Sequence, residues 1–78
     1  MIARLSELKP GQEGVIKEFN SDEISLKLME MGCIPGTRVA LEFRSPGGDP
    51  IALNIEGYVL GLRLSEAGLI QVEPEAID

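Results

Sequence analysis

Residues 38–55 read Arg38-Val39-Ala40-Leu41-Glu42-Phe43-Arg44, then Ser45-Pro46-Gly47-Gly48-Asp49-Pro50, then Ile51-Ala52-Leu53-Asn54-Ile55. In the first part Val39, Leu41 and Phe43 alternate with Arg38, Ala40, Glu42 and Arg44. That period of two is the period of a strand with one buried face. The middle part is a turn, because its glycines accept positive φ and its prolines cannot continue a ladder. In the last part Ile51, Leu53 and Ile55 alternate with Ala52, Asn54 and Glu56. The stretch therefore predicts a β-hairpin, and it sets the class of the fold as mainly β.

Working outward, the same alternation continues on the C-terminal side. Gly57 breaks the run, and Tyr58, Leu60, Leu62 and Leu64 alternate with Val59, Gly61 and Arg63. Ser65-Glu66-Ala67-Gly68 reads as a short turn or a single helical turn. Ile70 and Val72 form a last strand that Pro74 ends, and residues 75–78 read as a frayed acidic tail. On the N-terminal side, residues 14–19 read as a first strand with Val15, Lys17 and Phe19 on one face and Ile16 on the other. Leu5 and Leu8 are apolar, and Pro10-Gly11 is a turn signal.

Between the first strand and the hairpin lies the one helical pattern. Asn20 is the expected N-cap, with Glu23 three residues on as in a capping box. Ile24, Leu28 and Met31 share one face at 100° per residue. Gly32 supplies the stop and Pro35 follows it. Five short strands and one short helix make a single domain over residues 1–74. Strands this short in so small a chain predict a small five-stranded SH3-like barrel, since closure removes exposed edges.

Composition narrows the function. Seven Lys and Arg stand against thirteen Asp and Glu, a net charge of −6, which repels phosphate backbones and anionic membrane surfaces. Nucleic acid is therefore not an expected partner. There is no histidine, so no Ser-His or Cys-His pair exists in this chain. The start of the chain has neither the basic opening nor the apolar run of a signal peptide, and no run approaches a membrane span of about 20 residues. The expectation is a cytoplasmic, non-enzymatic protein without membrane insertion.

The remaining chemical signals are weak ones. The carboxylates are spread along outward strand positions, with no dense Asp-x-Asp-x-Asp loop, and read as solvated surface. Gly47-Gly48 lacks the lysine and following helix of a phosphate loop, and reads as the hairpin turn. Cys33, the only cysteine, follows the end of the helix, where the dipole opposes a thiolate, and reads as a small packing residue. The helix carries the sharpest signal. Leu26 falls opposite the Ile24 stripe, with Met29 to the side, which is the composition of an adaptable contact patch. Leu26, Met29, Glu30 and Cys33 are the candidate partner-binding residues. No catalytic, cofactor or metal residue is expected.

Residues 26–39 also carry a resemblance. Leu28-Met29-Glu30-Met31-Gly32 followed by Ile34-Pro35-Gly36-Thr37 resembles the FeoA family, ferrous iron transport protein A. Leu5-x-x-Leu8 with Gly11 and Gly14 is similar to the opening of the family, and Pro46-x-Gly48-Asp49-Pro50-Ile51 to its hairpin turn. Leu62-Arg63 with Glu66-Ala67 and Ile70-x-Val72 is similar to its close. The sequence departs at Cys33, where the family has a larger apolar residue, and at Lys27, where arginine is common. The resemblance implies an SH3-like barrel and a role as a small accessory to FeoB, the ferrous-iron transporter with a G-protein domain. It implies binding to the FeoB cytosolic domain, with the helix patch also open to a homo-oligomer. A second implied role is a stand-alone regulatory module like the C-terminal domain of repressors that resemble the diphtheria toxin repressor. That module would hold Fe(II) or another divalent metal weakly through oxygen ligands.

Overall fold

In the computed structural model, which describes residues 1–75, the hairpin forms as the alternation predicts. Strands β3 (Arg38–Arg44) and β4 (Ile51–Ile55) pair antiparallel, joined by a 3-10 turn at Pro46–Gly48. The complete order is β1 (Ala3–Arg4), a 3-10 turn (Leu5–Glu7), β2 (Glu13–Phe19), α1 (Asp22–Glu30), β3, β4, β5 (Tyr58–Leu62), α2 (Leu64–Ala67) and β6 (Ile70–Pro74). All neighbouring strands are antiparallel, in the sheet order β1-β6-β2-β3-β4-β5.

There are six strands among the described residues, not five. The added one is Ala3–Arg4, paired with Val72 and Gln71 of β6. Two residues are too short to leave an alternation in the sequence. Its position also moves the helix to between the second and third strands. The expected short turn after β5 is the one-turn helix α2. The ladder does not close, since β1 and β5 each have one neighbour and stand at the two edges.

One core runs through the sheet. Leu41 of β3, Leu53 of β4, Ile16 of β2, Ile70 of β6 and Leu28 of α1 are completely buried in it. Two bulges decide which aromatic side chains join. In β2, Ile16 pairs with Val72 and Glu18 with Gln71, so one residue is extra on β2 and the phase flips. Ile16 and Phe19, three apart, both turn inward, which corrects the expectation that they face opposite ways. In β3, Leu41 pairs with Leu53 and Phe43 with Ala52, again with one residue extra. Phe43, expected inward with Val39 and Leu41, is instead 56% exposed. The same bulge turns Arg44 toward the N-terminal segment, where its Nη2 donates to the carbonyls of Ser6 and Leu8, each at 2.7 Å.

Of the expected tail, Glu75 is tied down. Its N–H donates to the Glu13 carbonyl at 2.8 Å, and its carboxylate meets Arg38. Residues 76–78 lie outside the described residues.

Candidate partner-docking surface

Helix α1 is held at both ends by local chemistry. The N-cap is Ser21, whose Oγ accepts from the Ile24 N–H at 3.4 Å. This corrects the expected Asn20 cap. With Ser21 as cap, the third helical residue is Ile24, so Glu23 cannot close a capping box. Asp22 and Glu23 still face the positive end of the dipole. At the other end the N–H of Cys33 donates to the Leu28 carbonyl at 2.9 Å, and that of Gly32 to the Met29 carbonyl at 3.0 Å. These are the two bonds of a Schellman stop, and Gly32 takes the left-handed φ of 82° that the stop requires.

The stop explains Cys33. In this motif the second residue past the cap packs on the helix residue five before it, here Leu28. Both side chains are completely buried. Burial, and then the negative charge of Glu56, push the Cys33 thiol up to about 11. Cys33 is thus a core residue, and its expected place in the contact patch is corrected.

The rest of the helix divides cleanly. Ile24 and Leu28 are buried, whereas Leu26 is 61% and Met29 52% exposed, with Glu30 exposed beside them. Ser25 Oγ donates to Met29 Sδ at 3.5 Å. Met31 is the correction on the inner face. The helix ends at Glu30, Met31 leaves helical geometry at ψ 9°, and its side chain stays partly in solvent. The periodicity that placed Met31 with Ile24 assumed one more helical residue than Gly32 permits.

Two links fix α1 against the rest of the molecule. Lys27 Nζ reaches Glu66 Oε2 of α2 at 2.6 Å, and Glu66 Oε1 accepts the Arg63 N–H at 3.0 Å. The Lys27 hydrogen bond, followed by that from Arg63, holds the Glu66 carboxyl below the usual carboxylate range. At the end of α1 the Tyr58 hydroxyl donates to the Met31 carbonyl. Tyr58 is thereby held at the C-terminal end of α1, where Ile34 of the following turn is exposed as well. Sequence reasoning missed both. The isolated Ile34 between Cys33 and Pro35 was the only local signal, an apolar residue inside a turn.

A FeoA domain model matches residues 3–74. The chain belongs to the FeoA family. Among solved structures it is similar to a FeoA-like protein from Clostridium acetobutylicum, at 35% identity and a TM-score of 0.89, over 99% of this chain and 91% of that one. It is also similar to FeoA of Stenotrophomonas maltophilia in complex with zinc, described as a procaryotic SH3 domain protein. There the identity is 28% and the TM-score 0.81, over 94% of this chain and 95% of that one. The fold is therefore SH3-like, as the strand pattern predicts. A likeness of fold alone reaches the T. acidophilum IdeR, at 22% identity and a TM-score of 0.80, covering 95% of this FeoA chain and 34% of that protein. No curated protein sequence matches significantly.

Among the described residues, no three Cys, Asp or Glu side chains come together as a metal-sized cluster. No helix among them is long and apolar enough to cross a membrane.

Proposed function

We propose that this FeoA domain is a cytoplasmic, non-enzymatic accessory of ferrous iron uptake. It docks on the cytosolic domain of FeoB through the outer face of α1 and modulates assembly of the transporter or its GTPase cycle. No cofactor is part of this reading. The observation that carries it is the split of α1. A nine-residue helix with Ile24 and Leu28 in the core presents Leu26 and Met29 to solvent, more than half exposed, with Glu30 at their side. Long apolar side chains on an exposed helix face fit helix-in-groove recognition, and methionine adapts its shape to a partner. Family membership and solved relatives that share the fold support the transport role.

The test is calorimetry of the purified chain with the FeoB cytosolic domain, with and without guanine nucleotide and Fe(II). Leu26→Glu is expected to keep the thermal midpoint, since an exposed position changes stability by about 0.5 kcal/mol or less. It is expected to weaken binding by more than about thirtyfold if Leu26 is an interface anchor. Ile24→Glu is expected to unfold the domain, because it puts a charge at a buried site. Loss of folding in Leu26→Glu would sink the reading. Heat from Fe(II) added to the chain alone, with no binding to FeoB, would favour the metal-binding regulatory module. Concentration-dependent self-association lost in Leu26→Glu would make the patch a homo-oligomer contact.

A further inference from the structure

The open edge of the sheet at β5 is the feature the helix reading leaves unused. Residues 56 and 57 form a two-residue hairpin turn, with φ of 48° at Glu56 and 105° at Gly57, between Ile55 and Tyr58, which pair directly. In such a hairpin the flanking pair exchanges both backbone bonds, and every second pair after it does the same. Tyr58, Leu60 and Leu62 therefore spend their backbone groups on β4. The N–H and C=O of Val59 and Gly61 point away from it. Among the described residues neither makes a backbone hydrogen bond on that side.

Natural edges are usually blunted by lysine, proline, a bulge or very short length. The opposite edge, β1, is two residues long. β5 uses none of these devices: its register with β4 is regular over five pairs, and its sequence is Tyr-Val-Leu-Gly-Leu. Val59 is 59% exposed, and a Cβ on Gly61 would meet nothing within 4 Å. The side-chain faces at both residues are thus uncovered, and among the described residues their outward N–H and C=O groups have no backbone partner.

Charge indicates what such a partner carries. At the end of β5 lies a cavity of about 400 Å³ lined by Gly61, Leu62 and Arg63 together with Lys27, Pro50 and Glu66. Lys27 is paired with Glu66, and among the described residues the Arg63 guanidinium has no ion-pair partner. Asp49 Oδ1 accepts the Leu64 N–H at 3.0 Å beside them, so two cations face two anions at this spot on a chain of net charge −6. Two copies of the chain repel one another, whereas a segment with an acidic side chain supplies what Arg63 lacks. The Tyr58 hydroxyl on the Met31 carbonyl joins this edge to the α1 patch.

We propose that β5 is a strand-addition site, which takes an extended segment of the docked partner on Val59 and Gly61 and seats a carboxylate of that segment on Arg63. The inference rests on the adaptor reading and names the element of the partner that completes it.

The test uses the full chain and the FeoB cytosolic domain. Val59→Pro deletes an outward N–H and no bond of the β4 ladder, so it is expected to fold. It is expected to bind about tenfold more weakly, the worth of one or two backbone hydrogen bonds. Val59→Thr keeps the donor and is expected to bind like the wild type. Arg63→Glu is expected to weaken binding by a similar factor, and more at low salt. In the wild-type complex, amide exchange at Val59 and Gly61 is expected to slow, a readout that stands even if Val59→Pro does not fold. Tight binding by a folded Val59→Pro, with unprotected amides in the complex, overturns strand addition and leaves the adaptor reading in place. No binding by the wild type overturns both. A wild-type dimer that Val59→Pro dissolves makes the occupant a second copy, and also overturns the proposal.

Discussion

Cys33 shows how a single side chain can be chemically silent because of where the backbone puts it. The Schellman stop aims it at Leu28, and the resulting burial, with Glu56 acting second, holds the thiol protonated up to about 11. A group whose folded pKa is raised contributes stability that is complete below its unfolded value. That contribution is lost as pH rises through the folded one. The domain should therefore keep its Cys33 contribution at neutral pH and lose it between the usual thiol range and about 11. Cys33→Ala should flatten that alkaline decline in thermal midpoints measured from pH 8 upward. At pH 7.5 the native chain should react with a thiol-specific disulfide reagent only as fast as it opens, and addition of denaturant should release the reaction at once. Rapid labelling of the folded chain would contradict the buried position. Glu66 has the opposite sign. Its lowered pKa contributes stability above the ordinary carboxylate range, which is lost as pH falls through the folded value.

At the level of elements, small displacements of phase separate pattern from structure. The cap of α1 is Ser21, one residue later than Asn20, and the helix ends one residue before Met31. Ser21→Ala should destabilise the domain by about 1 kcal/mol, the ordinary worth of an N-cap, while Asn20→Ala should change almost nothing. Urea unfolding of the two variants checks this, and equal losses would return the cap to Asn20. The helix itself was legible, because the spacing of Ile24 and Leu28 and the glycine stop survive a one-residue error. The bulges in β2 and β3 were not. Alternation reports a face only while pairing is regular, and one extra residue at Lys17 or Glu42 inverts every position beyond it. That is why Phe19 is inside and Phe43 outside. Of the exposed face of α1, Leu26 and Met29 were legible from helical period alone. The exposed Ile34 and Tyr58 at the end of α1 were not, since they are set by the turn after α1 and a hydroxyl bond across the fold, neither of which leaves a periodic trace.

Across the whole molecule, the N-terminal segment is what completes the core. β1 extends the sheet beyond β6, and Leu5 and Leu8 beyond it are buried against the rest. Arg44, turned by the β3 bulge, holds this segment by donating from one nitrogen to the carbonyls of both Ser6 and Leu8. A domain of this size has little stability to lose, on the order of 5 kcal/mol where larger ones reach 15. Leu5→Ala should cost about 2–5 kcal/mol by opening a cavity, and Arg44→Ala about 2 kcal/mol by removing charge-assisted bonds. The two act on one segment, so their effects should not add. Once Leu5→Ala has loosened the segment, the further cost of Arg44→Ala should fall by about 1 kcal/mol. Urea midpoints of the single and double variants measure this directly, with Arg38→Ala as a distant control that should add to Leu5→Ala. Strict additivity of Arg44 and Leu5 would mean that the Arg44 bonds do not hold the segment onto the core, and that β1 and the leucines dock without it.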